Sequence, residues 1–245
     1  MEQFQTFLIF LSKGSNMGSD EFFKKRKAEL QARKREQLTP KVNSFLIVSE
    51  GEKTEPCYFE GIAKTISESY GDGISVEKPI IDTRGEGKCT VSLVNAAVSI
   101  AKKAHIMYEH QWVVFDKDDF LDFDEAIELA EKSGFKVAWS NQSFEFWLYL
   151  HFNYCDSALH RDDWVKKLNE LFVSRGISPE GYKKNDPKIF EIVSTYGSLE
   201  GAVSFATGIR KKHSKKLPPS KQDPCTTVDQ LIRELKPFLP QFFAD

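Results

Sequence analysis

The sequence predicts an α/β fold, with a parallel sheet flanked by helices and a helical C-terminal part. From residue 44 to about residue 155, short apolar runs of strand length alternate with longer segments whose apolar residues recur at helical spacing. This alternation is typical of β-α-β units, in which long crossovers connect parallel strands. After residue 155 the helical spacing continues without a clear strand. We therefore expect one sheet with the C-terminal helices packed against it.

Four apolar segments are predicted to be strands. Each is short, rich in apolar residues and bounded by polar or turn residues. The predicted strands cover residues 44–49, 74–81, 112–115 and 137–139. The glycine-containing segment 83–88, after the second strand, is predicted to be a loop.

Helices are predicted between and after these strands. Thr54 is a candidate N-cap of the first helix, which has Pro56 in its first turn and Ile62 and Ile66 on its apolar face. Gly134 is the predicted C-terminal cap of the third helix. The other predicted helices cover residues 91–107, 123–133, 143–151, 164–172, 187–196, 198–210 and 226–238.

We divide the chain into three regions. They are a basic N-terminal arm or helix (residues 1–43), an α/β core (44–155) and a helical C-terminal region packed on the core (156–245). Residues 20–37 carry seven Lys or Arg and four acidic residues, so this segment forms either a solvated charged face or a contact with phosphates. Met17 is an alternative start, with residues 1–16 as an upstream extension.

Composition excludes several classes of protein. A hydrophobic fraction of 40% is enough for a packed core, and no apolar run approaches the length that crosses a bilayer. The four cysteines are far apart and form no C-x-x-C pair, which argues against a zinc ribbon and a disulfide scaffold. We therefore expect a reducing, cytoplasmic location.

Two acidic clusters follow predicted strands. Glu50 comes directly after the first strand, and Asp116 and Asp118 come directly after the third. Because the carboxyl ends of parallel strands meet at one edge of a sheet, we expect these carboxylates to lie close together. In an extended segment Asp116 and Asp118 would project to one side and repel each other without a cation. Such oxygen ligands favour Mg²⁺ or Mn²⁺.

Further candidates lie beside these clusters. Glu55 is a second metal ligand, a general base or an acid that complements the helix dipole. Lys53 is predicted to contact phosphate, and Gly51 to let the backbone approach a substrate. Glu145 is either a metal ligand or a buried acid satisfied by a lysine or a backbone N–H. Asp119 is a third ligand or simply exposed.

Cationic residues suggest where a nucleic acid would bind. Arg84 and Lys88 lie in the predicted loop after the second strand and are candidates for holding a phosphate. A denser run in the C-terminal region is a candidate for contacting a nucleic-acid backbone, with a solvated charged surface as the alternative. This run includes Arg210, Lys211, Lys212, Lys215 and Lys216. His151 ends an apolar helix and is predicted to be a packed histidine rather than a proton shuttle.

Several stretches resemble a known family. Glu50-Gly51 with Asp116-x-Asp118, on strands of the predicted order, resembles the Toprim domain of topoisomerases, primases and OLD-type nucleases. More closely, the chain resembles RloB-family proteins between residues 44 and 238. The matching stretches are IVSEGEKTEPCYFEGI, WVVFDKDDF, VAWSNQSFEFWLYLHF and DPCTTVDQLIREL. Cys57 and Gln142 depart from the family's pattern, but neither departure removes a carboxylate.

The resemblance implies a function. Glu50, Asp116 and Asp118 would hold one or two Mg²⁺, and Glu55 would be the second acid of an OLD-type site. We therefore expect a Mg²⁺-dependent nuclease that acts on DNA or RNA in antiphage defence, with an ABC-type ATPase of the same locus as a partner. Two alternatives stay open. One is a non-enzymatic sensor or adaptor for such an ATPase, and the other is a D-x-D nucleotide-sugar transferase.

Overall fold

The structure, a computed structural model, describes residues 24, 26, 39–70 and 80–244, and the chain divides into two compact units. In the first unit, Met1–Thr39, Lys24 and Arg26 are helical and exposed. The rest of the predicted basic segment, and Met17, lie outside the described residues. The second unit, Pro40–Asp245, contains all the elements described below.

A mixed sheet forms the centre of the second unit. In the described residues it has five strands in the order β2-β1-β3-β4-β5; the first four are parallel, and β5 is antiparallel to β4. The strands are β1 (Lys41–Ser49), β2 (Ile80–Gly85), β3 (Tyr108–Asp116), β4 (Lys136–Asn141) and β5 (Cys225–Thr226). The predicted α/β fold with a mainly parallel sheet is confirmed.

Eight α-helices flank the sheet in the described part of the chain. They are α1 (Thr54–Tyr70), α2 (Thr90–Lys103), α3 (Phe123–Lys132), α4 (Phe144–Leu150), α5 (Arg161–Ser174), α6 (Ile189–Tyr196), α7 (Leu199–Lys212) and α8 (Val228–Leu235). Short 3-10 turns cover Pro219–Lys221, Lys236–Phe238 and Pro240–Phe242. None of the helices within residues 39–70 and 80–244 combines the length and apolar character needed to span a membrane.

Alternate side chains of β1 enter two different hydrophobic cores. Phe45 and Ile47 belong to the larger core, which also takes buried residues from α1 and from α4 to α8. Leu46 and Val48 belong to the smaller core, which α2 and α3 cover. This alternation is the two-residue period of a strand buried on both faces. The C-terminal helices therefore share one core with the sheet.

Several predicted boundaries are wrong. Part of the second predicted strand lies outside the described residues, and Thr83, Arg84 and Gly85 belong to β2 rather than to a loop. The α2 helix ends at Lys103 because Ala104 is extended, and the carbonyl of Met107 accepts from the N–H of Lys41.

Some of the predicted helix caps and strands agree with the structure, and others do not. Gly134 follows α3 with φ +83°, as its predicted capping role requires. Thr54 is not a simple N-cap, since α1 begins at this residue and its hydroxyl donates to the carbonyl of Lys184 at 2.6 Å. The expectation of no strand after residue 155 is wrong because β5 pairs with β4. Side-chain bonds reinforce this short strand: the Thr226 hydroxyl donates to the carbonyl of Trp139 at 3.0 Å.

A buried ion pair joins α7 to α8. The carboxylate of Asp229 is fully buried and accepts two hydrogen bonds from the guanidinium of Arg210, one of them from Nη2 at 2.8 Å. Arg210 Nη1 also donates to the carbonyl of Thr226 at 2.9 Å. Arg210 therefore contributes to the fold through this pair, and its assignment to nucleic-acid binding stays a prediction.

We expect Arg210→Ala to lower the free energy of unfolding by about 3–5 kcal/mol, because it leaves the buried carboxylate of Asp229 without its main partner. Urea unfolding followed by circular dichroism measures this loss. Lys212→Ala is the matched control, since Lys212 pairs with Asp156 on the surface at the end of the same helix. Equal unfolding midpoints for the two variants would contradict a structural role for Arg210.

Candidate active site

Glu50 and Asp116 meet at the carboxyl edge of the sheet because β1 and β3 are neighbours. The N–H of Glu50 donates to the carbonyl of Val114 at 2.8 Å, which continues the pairing of the two strands. The N–H of Asp116 in turn donates to Oε2 of Glu50 at 3.3 Å. The predicted meeting of the two acidic clusters is thus what the structure shows.

Glu55 joins this pair from the first turn of α1. Its Oε1 accepts from the N–H of Gly51 at 3.3 Å. A Cβ at Gly51 would lie 2.1 Å from Oε2 of Glu55, so a larger residue here would displace this carboxylate from its present position. The expectation that Gly51 lets the backbone approach a substrate stays a prediction.

Asp116 is held by the start of α4 as well as by Glu50. Its Oδ2 accepts from the N–H of Phe144 at 2.9 Å, at the start of that helix. The backbone conformation predicted for Asp118 is wrong. It lies in a turn with φ +39°, not in an extended segment, and its Oδ1 contacts Nη1 of Arg161 at 2.8 Å. Arg161, the first residue of α5, was not a predicted site residue.

Glu145 is a buried acid with two partners. Its Oε1 accepts from the hydroxyl of Tyr182 at 3.2 Å and lies 3.2 Å from Nζ of Lys184. The lysine-satisfied alternative for Glu145 therefore describes the structure, while its role as a metal ligand stays a prediction. Sequence reasoning missed Tyr182 and Lys184, which lie in the polar segment between α5 and α6. Their link to the site depends on tertiary contacts, such as the bond from Thr54 to the carbonyl of Lys184.

The carboxylates described above line a cleft of about 670 Å³, named here the acidic cleft. Its lining residues are Glu50, Gly51, Glu52, Lys53, Thr54, Glu55, Gly87, Lys88, Cys89, Asp116, Asp118, Phe120, Phe144, Glu145 and Lys184. Five of the six candidate carboxylates are among them, and Lys53, Lys88 and Lys184 add positive charge. Asp119 is exposed and is not part of the lining.

Burial and mutual repulsion raise the pKa values of the central acids. The pKa of Glu50 rises to about 7, mainly because the side chain is buried and also because Asp118 and Glu55 are negatively charged neighbours. Burial, followed by the charges of Glu55 and Glu145, raises the pKa of Asp116 well above its usual range. The pKa of Glu55 is also raised, first by burial and then by Glu145. Such a cluster gains stability when a cation neutralises it.

The donor set suits a hard divalent cation. Mg²⁺ and Mn²⁺ take carboxylate oxygens, and the cleft offers several at the end of one sheet. In the described residues, no three His, Cys, Asp or Glu side chains are already close enough together to hold a metal ion. Asp118 contacts Arg161, and Oε2 of Glu50 accepts a backbone N–H. The residue types fit the ion, and Asp118 would have to turn away from Arg161 to join Glu50 and Asp116.

The remaining predicted residues lie outside this cluster or at its rim. Nζ of Lys88 contacts Glu86 at 2.7 Å. Arg84 donates to the carbonyl of Thr83 at 2.9 Å and does not line the cleft. His151 is packed as predicted: it is buried against Tyr58, and burial lowers its pKa to about 4.

The C-terminal basic run does not reach this cleft. Lys212 contacts Asp156 at 2.6 Å, and Lys211, Lys215 and Lys216 are exposed. None of these four lysines lines the acidic cleft. Their assignment to nucleic acid stays a prediction.

Comparison with known proteins places the chain in a family. A family model described as RloB, RloB-like protein, matches residues 45–235, which is most of the chain. No curated protein and no solved structure matches the chain significantly. The matched residues include Glu50, Glu55, Asp116, Asp118 and Glu145.

The raised pKa of Glu50 predicts how stability depends on pH in metal-free buffer. Between the ordinary value of about 4.5 and about 7, the native state holds a proton that the unfolded state releases. Unfolding free energy therefore falls as pH rises through this window. We expect Glu50→Gln to remove about 1–2 kcal/mol of that fall, since Glu50 is partly exposed.

Urea unfolding at several pH values, with a chelator present, measures this difference. Glu52→Gln is the control, because Glu52 is an exposed carboxylate at the same rim, and its stability should follow that of the wild type. If Glu50→Gln and the wild type lose stability in parallel between pH 4.5 and 7, the proposed protonation of Glu50 is wrong.

Proposed function

We propose, starting from the fact that this chain belongs to the RloB-like protein family, that it is a Mg²⁺- or Mn²⁺-dependent nuclease. It would hydrolyse phosphodiester bonds of DNA or RNA on a Toprim-type core related to OLD-type nucleases. The observation that carries the proposal is the meeting of Glu50, Glu55 and Asp116 in one cleft, with Asp118 and Glu145 in the same lining.

Glu50, Asp116 and Asp118 would hold the metal ion, and Glu145 would support it. When bound, the ion lowers the pKa of a water molecule and offsets negative charge on the phosphate. The chain itself supplies the fixed positions, because backbone N–H groups hold Glu50 and Asp116 in place. Fixed charges of this kind need no rearrangement as the reaction proceeds.

Glu55 is the candidate general base. Burial raises its pKa, which makes the carboxylate a stronger proton acceptor, and the N–H of Gly51 holds one of its oxygens. It shares the cleft with the metal candidates, so a water molecule between them would be within its reach. This assignment keeps Glu55 separate from the residues that would bind metal.

Lysines at the rim would hold the phosphate. Lys184 is largely exposed although its Nζ contacts the buried Glu145, so the ammonium lies between the acids and the solvent. Lys53 is exposed at the start of α1 on the same cleft. Cations placed beside carboxylates let a polyanionic substrate approach an otherwise repulsive site.

We place this activity in antiphage defence in the cytoplasm, with an ABC-type ATPase as a partner. Of the two alternatives, a D-x-D transferase gives roles to Asp116 and Asp118 but none to Glu50 and Glu55, so we favour the nuclease. The adaptor alternative differs from the nuclease in predicting no cleavage at all, with or without the ATPase.

We expect Asp116→Asn to lower cleavage of DNA or RNA by about 10³-fold, because it removes a metal ligand worth several kcal/mol in the transition state. Single-turnover cleavage with Mg²⁺ or Mn²⁺ measures the effect. Asp119→Asn removes the same charge three residues away and should retain activity, since Asp119 does not line the cleft. Equal cleavage by wild type and Asp116→Asn would rule out this site.

Mg²⁺ should also raise the melting temperature of the wild type and leave that of Asp116→Asn nearly unchanged, which tests metal binding without a substrate. If neither protein cleaves nucleic acid, even with the ATPase present, the adaptor is the better description.

We expect Lys184→Gln to lower kcat by roughly 10–100-fold, because a cation that meets the transferred phosphate is lost. Lys183→Gln is the matched control, since Lys183 is the neighbouring lysine, contacts Glu180 and does not line the cleft. Steady-state kinetics on one oligonucleotide compares the two. Equal kcat values for the two variants would show that Lys184 only satisfies Glu145.

A further inference from the structure

A second cleft, of about 400 Å³, lies along α7 beside the C-terminal end of α8 and the turns that follow it, and is named here the basic cleft. Its lining includes Thr207, Gly208, Lys211, Arg233, Lys236 and Phe243. The volume is within the range of small-ligand sites. Its lining shares no residue with the acidic cleft.

The three cations of the basic cleft are only partly neutralised by the described residues, since one of them, Arg233, shares a carboxylate with Arg210. Nη2 of Arg233 donates to Oγ1 of Thr207 at 2.8 Å. Its Nε lies 3.6 Å from Asp229, but that carboxylate is already held by both Nη atoms of Arg210. In the described residues, no acidic side chain forms an ion pair with Lys211.

The contacts of Lys236 and Glu200 hold their side chains in place but do not pair these two charges with each other. Nζ of Lys236 lies 4.8 Å from the ring centroid of Phe243, and it too has no ion-pair partner in the described part of the chain. Glu200 is the acidic residue of the lining, and its carboxylate accepts from the N–H of Ala244 at 3.5 Å. Three cations therefore face one acid.

The helix dipole accounts for a cation at the end of each helix, but it does not account for the meeting of three cations at one surface. Lys211 and Arg233 lie in the last turns of α7 and α8, where the helix dipole favours positive charge. Bringing both, with Lys236, to one concave surface makes like charges repel. An anion in the cleft would relieve that repulsion.

The basic cleft lies away from the acidic one. The N–H of Thr227, just before α8, donates to the carbonyl of Trp139 in the middle of β4. Near the other end of α8, Glu234 contacts Lys136, the first residue of β4. The α8 helix therefore runs toward the amino ends of the parallel strands, whereas the acidic cleft is at their carboxyl ends.

We propose that the basic cleft binds a phosphate group, carried either by a nucleic-acid strand or by a free nucleotide. The guanidinium of Arg233 offers a planar set of donors, and the two ammonium groups add point charges, which together suit phosphate oxygens. The sequence grouped Lys211 with Lys215 and Lys216, while the fold groups it with Arg233 and Lys236. The proposal uses none of the residues of the nuclease centre and does not depend on catalysis.

The test compares two double charge reversals with the same change in net charge. Lys211→Glu with Lys236→Glu alters the basic cleft, whereas Lys215→Glu with Lys216→Glu alters exposed lysines outside it. Anisotropy of a short fluorescein-labelled oligothymidylate and calorimetry with ATP measure binding, both with EDTA so that cleavage cannot interfere. Because all four lysines are exposed, circular dichroism should show both proteins folded.

We expect the cleft variant to bind the oligonucleotide about tenfold more weakly than the wild type, while the control variant binds with nearly wild-type affinity. The slope of log binding constant against log salt concentration should also become less steep by about two in the cleft variant. Selective loss of ATP binding instead would identify a free nucleotide as the phosphate source. Equal losses in both variants, or no binding of either probe by the wild type, would overturn the proposal. So would an oligoglutamate that competes as well as the oligonucleotide.

An uncharged variant provides a second test. A Cβ at Gly208 would meet no heavy atom within 4 Å outside its own stretch of helix, so Gly208→Leu starts a bulky side chain from open space at the cleft. We expect it to weaken binding of the same probe while the helix is retained, since leucine favours helices more than glycine does. Unchanged affinity in this folded variant would overturn the proposed location.

Discussion

The parallel pairing of β1 with β3 is the constraint on which the acidic cleft depends. In this pairing Ser49 lies beside Val114, so the two strands end at nearly the same level. The N–H of Glu50 continues the pairing by donating to the carbonyl of Val114, and the N–H of Asp116 donates to the carboxylate of Glu50. Two acids are thus brought together by the backbone. A register shift of one residue would send these side chains to opposite faces and remove the cluster.

Holding these acids together costs stability, and the fold offsets only part of it. Phe144 supplies an N–H to Asp116, Arg161 an ion pair to Asp118, and Lys184 an ion pair to Glu145. The pKa of Asp116 nevertheless stays well above its usual range. Natural proteins accept such local cost at functional sites, where a ligand supplies the missing charge. The same repulsion that weakens the metal-free protein would therefore favour binding of a cation.

The strand-end carboxylates could be predicted because their signal is local: an apolar run followed at once by acids. Contacts that depend on packing could not. Lys184 lies in a polar segment without periodicity, and only the packing around α4 and α1 brings it to Glu145. The turn at Asp118 was also hidden, since an extended geometry was the simplest assumption after a strand. The β5 strand has two residues, too few for alternation to show, and it exists through its pairing with β4.

The basic run on α7 shows why charge that is continuous in sequence need not form one surface. Successive residues of an α-helix point about 100° apart, so three neighbours face three directions. Arg210 turns inward to the buried Asp229, Lys212 turns to Asp156, and Lys211 lines the basic cleft. A common face requires a spacing of three or four residues or a second element. Here α8 is that second element, and it gives Lys211 cationic neighbours that lie more than twenty residues further along the chain.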